Sequence, residues 1–405
     1  MRVKGDLYVE IAVLEEEDMD AAARIWASAF NYGKRGAVSE WRDSAADNGR
    51  LTRLGMKDPD LKACLMILDF QVYFGEDVSI PTGGIGGVAS RAEERGRGYA
   101  GKLLRGALEI MRGRKQALSL LFQFNWEFYR RLGWDWVGEQ RSYSVPTRIL
   151  RSSPETDYVR AAGLEDNVKI HGLYASYARR YRGPLVRDSR LWSTMLDNTD
   201  EHLTFTYLYE KDGLAEGYLT FRGGNENEIS IREFVALTAR AQSGLLGLLR
   251  RHEMKTKRFL WQAPCDDSLW LNGYDWEIET ALKPVVQARI VDVPMALSSL
   301  KPQHLGNWAN NSRNPSVVFA VDDDAAPWNT HTWKLDASTD AVHVEETREA
   351  PQLSMDIQAL TQAMFGSPSL GALWRSGRIQ VHDPTGLETL ERLFTGPPVW
   401  LNNGF

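Results

Sequence analysis

The stretch from Gly86 to Met111, GGVASRAEERGRGYAGKLLRGALEIM, decides how this chain is read. With Ile85 before it, the opening run to Ala89 has the apolar character of a strand end. Farther on, Ala100, Leu103, Leu104, Ala107, Leu108 and Met111 recur at the three- and four-residue steps of one buried helix face. Between the two lies Arg95-Gly96-Arg97-Gly98-Tyr99-Ala100. Glycines let the backbone turn tightly with its amides bare, and a starting helix adds four unpaired N–H donors at its positive dipole end. Such a turn suits phosphate oxygens, and Arg95 and Arg97 bring forked donors fit for a diphosphate. The overlapping run Gly84-Ile85-Gly86-Gly87-Val88-Ala89 matches the G-x-G-x-x-A dinucleotide pattern. That fingerprint must open a helix directly, whereas here the helix starts well downstream. These glycines instead mark a strand that a ligand approaches closely.

A strand ending at Val88 and followed by Arg95-x-x-Gly98-x-Ala100 resembles the pyrophosphate signature of the GNAT acyl-CoA N-acetyltransferases. Leu118 to Phe124 is a further β-rich apolar run, and Phe128-Tyr129-Arg130-Arg131-Leu132-Gly133-Trp134 then resembles the F-Y-x-K-L-G-F element of that family. The resemblance implies acetyl-CoA as the acetyl donor. Val88, Ala89 and Ser90 are expected to offer strand backbone to its pantetheine arm. Arg95, Gly96, Arg97, Gly98, Tyr99, Ala100 and Gly101 are expected to hold its diphosphate, with Phe124 and Asn125 flanking the thioester. Ala92 stands where relatives often carry proline, so a more flexible turn is expected.

A chain of 405 residues makes room for two or three domains at the usual ~150 residues each. Its 43% hydrophobic and 25% charged residues are those of a globular protein with a large core. No apolar run approaches the ~18 residues of a membrane helix, and the N-terminus lacks the apolar region of a secretory signal. Two cysteines, Cys64 and Cys265, lie far apart, fitting a reducing compartment without a disulfide. A cytoplasmic location, no membrane contact and no metal site are expected, the seven histidines being scattered without ligand spacing. A net charge of −6 argues against a nucleic-acid partner and is compatible with cationic amine acceptors.

Read in order, Tyr8 to Leu14 alternates as a strand, and Met19 to Phe30 is a helix with an apolar stripe. Residues 31–60 read as irregular. Leu61 to Phe74 and Ile80 to Ala89 form an antiparallel pair. The family resemblance puts Trp26, Phe30 and Trp41 near the acceptor; for Trp26 a place in the core is an equal reading. The first domain is expected to span 1–148. From 149 to 290 the order partly repeats: a helix at Glu165–Arg182, strands at Leu203–Tyr209, Gly217–Arg222 and Ile229–Leu237, a helix at Gln242–Met254 and a strand at Arg258–Gln262. The turn Thr238-Ala239-Arg240-Ala241-Gln242-Ser243-Gly244 has one late glycine and no R-x-x-G-x-A, so this half reads as a degenerate copy without cofactor. Residues 291–405, four strands and three helices, are similar to a sterol-carrier-like α+β domain. The fold class expected is α/β and α+β: two tandem GNAT folds, the second degenerate, then the sterol-carrier-like domain.

That domain order, with an aromatic final residue, resembles the Eis family of aminoglycoside N-acetyltransferases. The resemblance implies Tyr129 as the general acid that protonates the departing thiolate, and the terminal carboxylate of Phe405 as the general base. It also implies a small-molecule amine acceptor and a homohexamer. A protein or peptide lysine acetyltransferase is the rival enzyme reading, and a scaffold carrying an apolar ligand the rival outside enzymes.

Overall fold

The structure is a computed structural model, and it describes residues 10–30, 51–196, 203–223, 227–272, 276–301, 315–338 and 341–401. Trp41 and Phe405 lie outside the described residues.

The first half supplies strands β1 (Glu10–Val13), β2 (Leu51–Asp58), β3 (Asp60–Phe74), β4 (Ser79–Ser90), β5 (Leu118–Leu121) and β6 (Asp135–Pro146). Helix α1 (Met19–Ala29) precedes β2, and helices α2 (Tyr99–Gly113) and α3 (Trp126–Arg130) flank β5. The second half contributes β7 (Val159–Ala161), helix α4 (Asn167–Ala178), β8 (Arg182–Leu185) and helix α5 (Ser189–Leu196). Then come β9 (Thr204–Lys211), β10 (Leu214–Gly223), β11 (Glu228–Ala236), helix α6 (Ala239–Arg250), β12 (Arg258–Pro264) and β13 (Glu279–Ile290). In these halves α2 buries the six residues Tyr99, Leu103, Leu104, Ala107, Leu108 and Met111. That is the face the apolar periodicity predicts, with Tyr99 in place of Ala100.

The strands of both halves make one 13-stranded sheet, in the order β1-β2-β3-β4-β5-β13-β6-β12-β11-β10-β9-β7, with β8 against β3. The halves exchange their last strands. Strand β13, from the end of the second half, lies between β5 and β6, and β6 runs on to pair with β12. The third region has helix α7 (Val293–Ser298), strands β14 (Ser316–Asp322), β15 (Thr332–Ala337), β16 (Val342–Glu346) and β17 (Leu353–Asp356), then helices α8 (Ile357–Phe365) and α9 (Leu370–Arg375), β18 (Ile379–Val381) and helix α10 (Pro384–Phe394). Its five strands form a separate sheet, β16-β15-β14-β17-β18.

Several expectations need correction. Part of the run read as irregular, residues 51–58, is β2, which is antiparallel to both β1 and β3 and largely buried. Thr52, Arg53 and Lys57 gave it a polar surface in the sequence. The strand expected at Leu118–Phe124 stops at Leu121, where the chain leaves the sheet. The helix expected at Glu165–Arg182 ends at Ala178, and Arg182 opens β8 instead. The helix expected at Gln242–Met254 runs from Ala239 to Arg250. Strands β6, β7, β13 and β18 were not expected from the sequence.

Two cores sandwich the first part of the sheet. One joins the buried face of α2 to Leu54, Met56, Leu65, Ile67, Tyr129 and Trp134. The other is continuous from Val72, Phe74, Leu118 and Leu120 through the third region to Val399 and Leu401. The third region therefore packs on the sheet instead of hanging from it. Cys64 is buried, Cys265 half-buried, and both thiols are free. No described helix is long and apolar enough to cross a membrane.

Candidate active site

Strands β4 and β5 run parallel and pair only over Thr82–Ile85 opposite Leu118–Leu121. Beyond that point β4 continues to Ser90 with β3 alone beside it, so Val88, Ala89 and Ser90 present a strand edge with no neighbour toward β5. The G-x-G-x-x-A run lies wholly inside β4. A register irregularity falls there, at Gly87, and Trp26 of α1 covers it: the Trp26 ring lies 3.3 Å from where a Cβ on Gly87 would sit. Phe30, partly exposed, has its ring 5.6 Å from that of Trp26. Trp26 packs against a core cluster and borders the splayed strand.

After β4 the chain makes the short turn Ala92–Glu94 and reaches α2 through Gly96 and Gly98, both left-handed at φ +82 and +79. Only glycine holds that conformation without strain. Gly98 is the N-cap of α2, and a Cβ at Gly96, Gly98 or Gly101 would meet nothing within 4 Å. Arg95 N–H donates to Ala92 O, and the helical ladder resumes with Lys102 N–H donating to Gly98 O. Among the described residues no acceptor faces the N–H groups of Gly96, Arg97, Gly98, Tyr99, Ala100 and Gly101. Six bare donors under open space, at a helix N-terminus, form an anion cradle. The arginines differ: Arg97 pairs with Glu94 at 3.1 Å, while Arg95 is exposed and makes no ion pair among the described residues. Tyr99 offers only its backbone, because its side chain is buried with the hydroxyl donating to Asp58 Oδ2 at 3.2 Å. The site fits a coenzyme A diphosphate by this arrangement of donors.

Tyr129 sits on α3, the one-and-a-half-turn helix that follows β5. Asn125 caps that helix, its Oδ1 accepting from Phe128 N–H at 3.0 Å, so its side chain is engaged in structure. Tyr129 is 2% exposed, edge-on to Phe124 at 5.3 Å and to Phe128 at 5.0 Å. Phe124, at 67% exposed, shields one side of it from a position open to solvent. Among the described residues the Tyr129 hydroxyl has no hydrogen-bond partner. A purely structural buried tyrosine ordinarily spends its O–H on a carbonyl; this one is unspent. Burial pushes its pKa well above that of an ordinary phenol, so the phenol stays protonated across the range in which enzymes work.

Residues that the sequence reading passed over hold this turn in place. Side-chain amides from β13 and α8 reach backbone carbonyls of α3 and the start of β6. Gln287 Nε2 donates to Trp126 O at 3.2 Å, Gln358 Nε2 to Arg130 O at 2.8 Å, and Gln362 Nε2 to Trp136 O at 2.9 Å. Arg289, fully buried, donates to Leu132 O and pairs with Asp323 of the third region. Burial pulls the Arg289 guanidinium below its usual pKa, and Asp323 opposes that. Gln287 and Arg289 are successive same-face positions of β13. Two polar side chains two apart in the apolar run Val285–Val291 were the available signal.

The second half differs at the corresponding turn. Only Leu237 and Thr238 join β11 to α6, and the helix start is taken by the chain's own side chains. Thr238 Oγ1 accepts from Ala241 N–H at 3.2 Å and donates to Glu216 Oε2 at 2.9 Å, and Arg240 pairs with the same carboxylate.

These two geometries agree with what the sequence matches. Residues 10–137 match the acetyltransferase (GNAT) domain, residues 183–290 match a second acetyltransferase (GNAT) domain model, and residues 293–402 match the sterol carrier protein domain. The protein is a GNAT-type acetyltransferase. It has two GNAT domains followed by a sterol-carrier domain, as its sequence leads one to expect. A Streptomyces avermitilis protein named as an uncharacterized N-acetyltransferase is 26% identical over 357 residues, covering 83% of this chain and 85% of that one. The crystal structure of a GCN5-related N-acetyltransferase from Anabaena variabilis superposes with a TM-score of 0.87 at 20% identity, over 98% of this chain and 100% of that one. Eis1 from Mycobacterium abscessus superposes with a TM-score of 0.77 at 19% identity, over 98% and 100%. At those identities the likeness to solved structures is one of fold.

Proposed function

We propose that this acetyltransferase is Eis-like and moves the acetyl group of acetyl-CoA to an amine of an aminoglycoside or similar polyamine. The observation that carries the reading is the pairing of six free amides at residues 96–101 with the unpartnered hydroxyl of the buried residue Tyr129. The three-domain order supports the Eis-like assignment. Acetyl-CoA supplies an activated acetyl thioester. The amides of residues 96–101, with Arg95 and Arg97, hold its diphosphate, and the free edge of β4 at Val88, Ala89 and Ser90 hydrogen-bonds its pantetheine arm. Phe124 and Asn125 flank the thioester. Trp26, Phe30 and Trp41 form the acceptor mouth. Tyr129 gives its proton to the departing thiolate sulfur, and the carboxylate of Phe405 takes the proton lost by the amine. A free terminal carboxyl titrates at ~3.3–3.7, so partial burial or a water relay must raise its basicity. A homohexamer in the cytoplasm belongs to the same reading, and sedimentation of the purified chain checks the assembly.

Thiol release from acetyl-CoA, followed with aminoglycosides, diamines and lysine peptides as acceptors, tests the proposal. Aminoglycosides and diamines are expected to react fastest. A clear preference for lysine peptides would assign the chain to protein acetylation, and calorimetric silence toward coenzyme A would remove the donor altogether.

Two further outcomes are expected. Arg95→Ala weakens coenzyme A binding about 10- to 100-fold, the worth of a charge-assisted hydrogen bond of about 1.5–3 kcal/mol, with little change in melting temperature. Isothermal calorimetry against the wild type checks it. Because burial raises the Tyr129 phenol, the acid stays protonated as pH rises, and loss of the acid causes no fall in kcat between about pH 7 and 10. A descending alkaline limb that disappears in Tyr129→Phe would contradict this.

A further inference from the structure

The second GNAT half keeps one feature of the first that its turn has lost. Strands β11 and β12 run parallel and pair only over Glu228–Ile231 opposite Arg258–Trp261. Beyond Ile231, β11 continues to Ala236 beside β10 alone, while β12 continues to Pro264 beside β6. This is the same splay that β4 and β5 make after Ile85 and Leu121. In the first half the splay is open. In the second it is closed, and one of the groups that close it is Trp400 from the far end of the chain.

The residual cavity in that splay is about 20 Å³, room for a single water. Phe234 and Val235 of β11, Gln262 and Pro264 of β12, Tyr177 of α4 and Trp400 line it. The segment carrying Trp400 is built into the sheet. Arg182 N–H donates to Pro398 O and Trp400 N–H donates to Arg182 O, both at 3.0 Å, which makes a parallel bridge between Arg182 and Val399. Two left-handed glycines leave the slot. A Cβ on Gly138 (φ +71) would come within 2.4 Å of Val399 Cγ1, and one on Gly183 (φ +112) within 3.1 Å of the Trp400 carbonyl oxygen. Val399, Trp400 and Leu401 are all buried. From the opposite side the Arg182 guanidinium donates to Met364 O and Phe394 O, tying β8 to the third region that delivers the segment.

We propose that the cleft of the degenerate half, no longer served by a phosphate turn, is the seat of the chain's own C-terminal segment. Trp400 fills it as a positioning residue and fixes the point from which residues 402–405 set out. The consequence for turnover rests on the reading that the Phe405 carboxylate is the base; the docking itself does not.

Two measurements separate these. The full-length protein is incubated with a carboxypeptidase and followed by mass spectrometry. Trimming is expected to go no farther in than Leu401 in the wild type and in Trp400→Phe, and to run on to Pro398 in Trp400→Ala. Wild-type loss of Leu401 and Trp400 as fast as of residues 402–405 would overturn the docking. In the thiol-release assay Trp400→Ala is expected to lower kcat about 10- to 100-fold, the scale of a misplaced catalytic group, with the coenzyme A dissociation constant unchanged and Trp400→Phe restoring most of the rate. If Trp400→Ala turns over normally although its tail is trimmed, the positioning role fails. If a chain lacking Phe405 turns over normally, the base assignment fails while the trimming result stands.

Discussion

Tyr129→Phe is expected to turn over about 10²–10⁴-fold more slowly than the wild type, the usual range for removing a general acid. The dissociation constant for coenzyme A stays the same, because the ring packing is kept and the phosphate cradle lies on another element. The substitution removes one oxygen that makes no hydrogen bond among the described residues, so the fold loses nothing it was using. Melting temperature is therefore expected to hold or rise slightly. That combination separates the two roles open to a buried tyrosine. A structural hydroxyl would cost stability and leave kcat alone, whereas a proton donor costs kcat and leaves stability alone. The difference is read by steady-state kinetics beside a thermal melt, and full activity in Tyr129→Phe would remove the residue from the mechanism.

Arg289→Met is expected to destabilise the protein by about 3–5 kcal/mol, because it strands the buried Asp323 carboxylate without its partner. The double variant Arg289→Met/Asp323→Leu should recover only part of that loss, since removing the pair also strips Ala325 N–H, Ala326 N–H and Asn329 Nδ2 of the buried acceptor they share. Recovery of stability should not bring back activity, however. Arg289 also donates to the Leu132 carbonyl, three residues beyond Tyr129, and a shift of the acid by about 1 Å costs on the order of 10²-fold. Urea titration of the three proteins, with kcat measured on each, checks both halves. A double variant that regains full turnover would show that the pair serves stability alone.

Local signals in the sequence were strong where chemistry and periodicity coincide. The apolar steps from Leu103 to Met111 and the glycines at 96 and 98 located a helix, its start and its free amides, because each depends on residues within one turn of one another. The Phe128–Trp134 element located the turn bearing Tyr129 for the same reason. What stayed hidden depends on distant partners. Strand β2 is polar enough at Arg53 and Lys57 to pass for a loop; its strand character comes from pairing with β1 and β3. Strand β13 carries Gln287 and Arg289 in a short apolar run, but nothing local tells it to insert between β5 and β6. The side chains of Gln287, Arg289, Gln358 and Asp323 acquire meaning only when β13 and the third region are folded onto the carbonyls around Tyr129. The side chains of Asn125 and Tyr99 turn to capping and anchoring, which no motif distinguishes from ligand contact.

The insertion of β13 also sets a timetable for synthesis. Until residues 279–290 have left the ribosome, β5 waits with one side bare, for roughly ten to thirty seconds at 5–20 residues per second. An N-terminal fragment cut near residue 148 would wait indefinitely, with an open sheet edge of the kind that recruits other chains. Expression of that fragment alone should therefore give aggregates, and co-expression with the remainder should rescue it.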